Sequence, residues 1–171
     1  MKLTRVERLI IANQLAILER LSEDEHEKAH YGYLRDGLQH GYVYAYDEAI
    51  RMIDQDELTE DRCKFVIDVL DMHRALKSGY DALQDKSDIA VQRIEFPGFD
   101  GNYEAAYLGF CRHFINEPSK KRFAELAKGN DYDSHMPTLD RYAAMLDEWN
   151  RSADRHRLTK TDIQRISSVT G

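Results

Sequence analysis

The pattern with the most direct chemical meaning is His26-Glu27-Lys28-Ala29-His30. It matches H-E-x-x-H, in which two histidines one helical turn apart share a zinc ion and the glutamate acts as general base. Zinc needs a third protein ligand, and Asp47 and Glu48 in the following segment are the candidates along the chain. The setting favours a plainer role. A metalloprotease helix lies in a dry cleft, whereas here Lys28 sits inside the motif and Glu23, Asp24 and Glu25 precede it. The positions at which the extended zinc-protease motif requires Gly and a third His hold Tyr33 and Asp36. The stretch reads first as a charged, solvated helix start, with His30 edging onto a Tyr31/Leu34/Leu38 stripe. A zinc-dependent hydrolase using His26, Glu27 and His30 is the alternative.

Five of the ten tyrosines cluster at Tyr31, Tyr33, Tyr42, Tyr44 and Tyr46. Such a patch stacks a ring-bearing ligand or, more often, seats a loop or lines a subunit interface with the hydroxyls at the wet edge. The candidate binding surface is therefore Tyr42, Tyr44 and Tyr46, with Asn13 and Asp100. Asn13 falls in the middle of an apolar stripe, where a buried amide must find a hydrogen-bond partner and so pins a neighbouring loop. Asp100 and Glu104 follow the Pro97-Gly98-Phe99 turn at the mouth of a helix, where capping accounts for Asp100. A small-ligand pocket near the tyrosines or near Phe99 is a further alternative function.

The remaining chemistry is sparse. His73, His113, His135 and His156 have no ligand spacing. Phosphate-binding glycine loops, the dinucleotide fingerprint and the serine-nucleophile elbow do not occur. Asp54-Gln55-Asp56 begins like a calcium loop, but its sixth position is Thr59 and its twelfth is Phe65. No catalytic residue, metal or cofactor is assigned.

The elements that must position these residues are helical. Thr4-Arg5-Val6-Glu7 is a capping box, followed by a helix to about Arg20 with Val6, Leu9, Ile10, Asn13, Ala16 and Ile17 on one face. Ser22-Glu23-Asp24-Glu25 is a second box that opens a helix to about His40, and Gly41 is a natural left-handed cap. Tyr42–Tyr46 alternates with period two, as an extended segment does, and Asp47 to Ile53 turns helical again. Thr59 caps the longest helix, to about Leu83. Val91–Phe96 alternates loosely and ends at the Pro97-Gly98 turn. Helices are predicted over 102–116, briefly over 122–128, over 138–150 after Pro137, and from Thr159 onward. The fold class is all-α: an N-terminal helical hairpin and connector over 1–57, packed on a second multi-helix part over 58–171. At most two short segments are extended.

The 171 residues carry a net charge of −7, with 42% hydrophobic and 32% charged residues. Leu21 to Asp61 alone holds 12 acidic residues against Lys28, Arg35 and Arg51. A surface so acidic repels phosphate backbones, so nucleic acid is not an expected partner. The basic stretch Arg151–Arg165 is too weak for that role and suits a solvated helix start. The longest apolar run near the start, Leu9–Ala12, is too short for a signal-peptide core or a membrane span. No membrane partner is expected, and Cys63 and Cys111 read as reduced core thiols of a cytoplasmic protein.

With these segments laid out, the chain resembles the YfbU family of uncharacterised bacterial proteins. The resemblance rests on Arg8-Leu9-Ile10-Ile11-Ala12-Asn13-Gln14, on Ile67-Asp68-Val69-Leu70-Asp71-Met72 with Ala75-Leu76, and on Phe96-Pro97-Gly98-Phe99-Asp100. It continues through Glu104, Tyr107-Leu108-Gly109, Met136-Pro137, Tyr142, Met145-Leu146 and Trp149. It implies an all-helical cytoplasmic fold and brings no catalytic or binding residues with it. The function expected from the residues is binding to a protein partner, a second copy of the chain included.

Overall fold

A computed structural model of the chain describes residues 2–51, 53, 56–117, 119, 123, 125–126 and 131–170. Among them the regular structure is eight α-helices, 3₁₀ residues at Ser119, Phe123, Glu125 and Leu126, and one isolated bridge, between Phe99 and Asp133. The fold is all-α. The chain divides into two compact units, Met1–Glu57 and Leu58–Gly171. No described helix is long and apolar enough to cross a membrane.

In the N-terminal unit, α1 (Arg5–Leu21) starts at Thr4 with a complete capping box. Thr4 Oγ1 accepts from the Glu7 amide at 3.2 Å, and the Glu7 carboxylate accepts from the Thr4 amide at 2.7 Å. The next helix, α2 (Glu25–His40), is capped by Asp24 rather than Ser22. Ser22 closes α1, donating its amide to Leu18 O at 2.9 Å, and its hydroxyl donates to Glu27 at 2.6 Å. Asp24 is thus left to accept from the His26 and Glu27 amides at 2.7 and 3.0 Å. Gly41 ends α2 in the left-handed conformation, φ 81°.

The segment expected to be extended at Tyr42–Tyr46 is instead helical, as α3 (Val43–Ala49). The helical reading expected over Asp47 to Ile53 stops at Ala49. The physical reason is burial. Ala45 and Tyr46 are neighbours in sequence and both are buried, whereas a strand would send them to opposite faces. The core of this unit is small: Ala12, Leu15, Leu34, Leu38 and Tyr46, with Leu3, Ile11, Tyr31 and Ala49 packed at its edge.

The C-terminal unit is organised around α4 (Glu60–Ala82), capped by Thr59 and buried at Val66, Val69, Leu70, Met72, His73, Ala75 and Leu76. That set covers more than half of the helix circumference and leaves a narrow charged strip with Lys64 and Asp81 to solvent. Packed on α4 are α5 (Val91–Ile94), α6 (Ala105–Asn116), α7 (Leu139–Asn150) and α8 (Lys160–Ser167). The extended segment expected over 91–96 is a helical turn, Val91–Ile94, followed by Glu95 in an extended conformation. Pro97 cannot continue a helix and keeps the residue before it out of the helical region, but leaves Val91–Ile94 free to form a turn. The second capping box of the chain, Thr159 with Asp162, starts α8.

Helix α6 begins at Ala105 rather than Asn102, because Asp100 Oδ1 accepts from the amides of Asn102 and Tyr103 at 2.6 and 2.9 Å and holds a turn there. Most of the stretch 122–128, expected as a short helix, lies outside the described residues, as do Asp54 and Gln55 of the calcium-loop-like start.

Candidate interaction surface

Helix α1 carries apolar residues on two sides, and the hairpin uses the smaller one. Ala12 and Leu15 are buried against α2. At 100° per residue, Val6, Ile10 and Ile17 fall within about 40° of one another on the opposite side. They are exposed, together with Leu9, Leu18 and Leu21, to between 44% at Leu18 and 73% at Leu21. The face expected to be the core face is therefore the outer one. Asn13 lies in the middle of it and is exposed, so its amide is solvated rather than pinning a buried loop.

Beside this face runs a groove of about 510 Å³, floored by Val6, Leu9, Ala12 and Leu38 and rimmed by Arg5 and Arg8. Arg8 is half-buried; its Nη1 donates to Leu38 O at 3.5 Å, and its buried Nε has no partner. The hairpin is pinned farther along by an ion pair between Glu19 and Arg35.

The tyrosine cluster splits. Tyr42 and Tyr44 are exposed, with Val43 between them, while Tyr46 is buried in the core and presents nothing to a partner. The Tyr42 ring stacks on His40, centroids 5.5 Å apart. Tyr33 is exposed and Tyr31 packs at the core edge.

Apolar exposure is uneven between the units. Among the described residues, fourteen large apolar side chains are exposed, and eleven belong to the N-terminal unit: six on α1, plus Tyr33, Tyr42, Val43, Tyr44 and Ile53. Scattered exposed apolar residues are ordinary, but a contiguous patch marks an interaction site.

His26, Glu27 and His30 are all exposed at the start of α2. The Glu27 carboxylate accepts from Ser22 at the α1–α2 corner. Among the described residues, no group of three His, Cys, Asp or Glu side chains converges as metal ligands, so neither Asp47 nor Glu48 supplies the third.

Asp100 and Glu104 serve the interior of the C-terminal unit. Asp100 is 1% exposed and spends its carboxylate on the turn before α6. Glu104 is buried and saturated. Its carboxylate accepts from the amides of Asp100 (3.0 Å), Thr138 (2.6 Å) and Leu139 (2.9 Å) and from the Thr138 hydroxyl (2.8 Å). Thr138 gives α7 no side-chain cap, so Glu104 caps that helix from a distance and matches its positive end.

Next to it, Gly98 has φ 100°, and a Cβ there would sit 1.8 Å from the Tyr132 carbonyl oxygen. Tyr142 donates its hydroxyl to Gly98 O at 2.7 Å, and burial pushes its pKa up. Phe99, expected beside a ligand pocket, is fully buried among the rings of Phe96, Tyr107 and Tyr142.

His73 was the scattered histidine with a hidden structural role. It is completely buried between Phe96 and Tyr142, with Nδ1 3.0 Å from Ile94 O and Nε2 without a partner. Burial lowers its pKa to about 4, against the opposing hydrogen bond to Ile94 and with a smaller push from Arg141. Burial likewise pushes the Cys111 thiol up to about 12, which leaves it an inert core side chain.

Two further concavities lie among the described residues of this unit. A cleft of about 120 Å³ between α4 and α5, lined by Tyr80, Val91, Ile94 and Phe96, is smaller than the roughly 300–1,000 Å³ of typical ligand sites. A groove of about 520 Å³ runs past Pro97, Tyr103, Met136 and Pro137, and its buried carboxylate, Glu104, already holds four donors.

The elements from the Thr4 cap to the Thr159-capped α8 all fall within residues 1–169, the stretch matched by the family model described as the YfbU domain, and the chain belongs to the YfbU family.

Proposed function

We propose that this protein acts in the cytoplasm by binding a protein partner through the outer face of its N-terminal hairpin. The observation that carries this reading is the aliphatic outer face of α1, where Val6, Ile10, Ile17 and Leu21 are exposed together, with exposed Leu9 and Leu18 on its two flanks. Both cysteines are unpaired, in keeping with a reducing compartment. A catalytic role at His26-Glu27-x-x-His30 draws less support, since these groups are solvated and Glu27 is engaged with Ser22.

The test is site-specific photo-crosslinking in cells. A photoreactive side chain replaces Ile10 on the outer face, and a control replaces Lys64 on exposed α4 surface. Protein adducts are expected from position 10 and not from position 64. An absence of adducts at position 10 in folded, expressed protein overturns the reading.

A further inference from the structure

We infer that the groove beside α1 takes an acidic, aliphatic segment of the protein partner, with its carboxylates on Arg5 and Arg8. This rests on the reading that the outer face of α1 binds protein, and it names the chemistry of what is bound.

The first support is the lining. At 100° per residue, Arg5, Leu9 and Ala12 fall within about 60° of one another, on the flank of α1 between its outer face and α2. Buried Ala12 and Leu38 floor the groove, and exposed Leu9 and Val6 form its open wall. Val6 belongs to the outer face as well, so a segment lying on that face reaches the groove without a break. The floor suits Leu, Ile or Val side chains, which gain by leaving water. Among the described residues that line the groove, none is Asp or Glu.

The second support is charge. Neither arginine of the groove pairs with a carboxylate among the described residues. Arg8 has five N–H donors. Its side chain donates to a neutral acceptor, Leu38 O at 3.5 Å, and its Nε is buried without a partner. The nearby carboxylate of Glu7 is turned instead to the Thr4 amide and hydroxyl, at 2.7 and 2.8 Å. Farther along the hairpin, Lys28 pairs with Glu25 and Arg35 with Glu19. Two arginines one turn apart thus stand over an aliphatic floor in a chain of net charge −7. A carboxylate at the edge of such a floor is screened less than on open surface, and a guanidinium receives it with two parallel hydrogen bonds. A basic segment meets like charge here. A phosphate backbone meets the 12 acidic residues of Leu21 to Asp61 on the same unit.

The test uses the full chain and two labelled synthetic helical peptides with the same leucine stripe, one flanked by glutamates and one by lysines, followed by fluorescence anisotropy. The glutamate peptide should bind about 10-fold more tightly than the lysine peptide or better, and Arg5→Glu should remove or reverse that preference. Arg5 is exposed and glutamate is favoured in the first turn of a helix, so this variant keeps the fold, which helical circular dichroism checks. Arg8→Gln should weaken the glutamate peptide by about 5–10-fold. Equal binding of the two peptides, no binding of either at millimolar concentration, or a preference that survives Arg5→Glu in folded protein each overturns the inference. Displacement of the glutamate peptide by sodium decanoate at lower concentration also overturns it, and makes the groove a fatty-acid site. Photo-crosslinking separates this inference from the reading beneath it. If position 10 captures protein in cells and the adducts persist unchanged in Arg5→Glu, this inference falls while the proposed function stands.

Discussion

Removing the Glu104 carboxylate should loosen the C-terminal unit more than any other single polar substitution in it. Glu104→Ala strips the acceptor from three amides and one hydroxyl at once, at 2.6–3.0 Å. Hydrogen bonds to a charged group contribute about 1.5–3 kcal/mol each, but their sum overstates the loss because partners relax and admit water. Two of the donors are the Thr138 and Leu139 amides at the start of α7, and loss of a helix cap alone costs about 0.5–2 kcal/mol. A net loss of about 3–5 kcal/mol follows, since at about 1–3 kcal/mol for each buried donor left unpaired, four donors that are partly rehydrated fall in that range. Glu104→Gln keeps the shape but turns an NH₂ group toward a donor, and should cost about 1–3 kcal/mol. The assay is equilibrium urea unfolding followed by the fluorescence of Trp149, buried on α7 itself. A loss below about 1 kcal/mol for the alanine variant, at unchanged denaturant slope, would refute the view that Glu104 is the cap of α7.

Two further outcomes follow from the same interior. His73 is held near 4 when folded against 6.5 when free, so protons favour the unfolded chain: stability is full above about pH 6.5, declines as pH falls, and stops declining from this source near pH 4. The decline should total about 3 kcal/mol, and it should vanish in His73→Phe when chemical denaturation is repeated across that range. Gly98→Ala should cost at least about 3 kcal/mol, or prevent folding of the C-terminal unit, because the new Cβ meets the Tyr132 backbone and φ is positive; thermal unfolding checks it.

What was legible in the sequence was whatever is settled within one turn of chain. Thr4 with Glu7, Thr159 with Asp162, Thr59 and Gly41 all cap where their spacing says, since a cap and its amides lie at most four residues apart. Even locally there is competition: Asp24 displaced Ser22 because Ser22 was already closing the previous helix. Period-two tyrosines suggested extension at Tyr42–Tyr46, but residues spaced two apart also include an i, i+4 pair, and packing of Tyr46 decided the matter. Side choice on α1 was illegible for a different reason. Periodicity finds the more apolar face and assigns it inward, and here the less apolar one faces α2. The role of Glu104 on α7 was beyond any local pattern, as the donors it caps there lie 34 and 35 residues along the chain. His73 carried one signal: its place among Val66, Val69, Leu70 and Leu76 at helical spacing on a capped apolar helix.

Among the described residues, the helix contacts of the N-terminal unit join consecutive helices, α1 with α2 and α2 with α3, and that has a consequence for the order of events at the ribosome. Hairpins of adjacent helices form in microseconds to milliseconds. The clasp of Glu104 on α7 must wait until residue 139 has emerged. At about 5–20 residues per second, the chain between Leu58 and Leu139 takes roughly 4–16 s to make. For that interval the nascent polypeptide displays a formed hairpin with its aliphatic side bare, while the rest is still incomplete. Neighbouring ribosomes on one message bring such hairpins close together, so any association through that side has seconds in which to begin before synthesis ends.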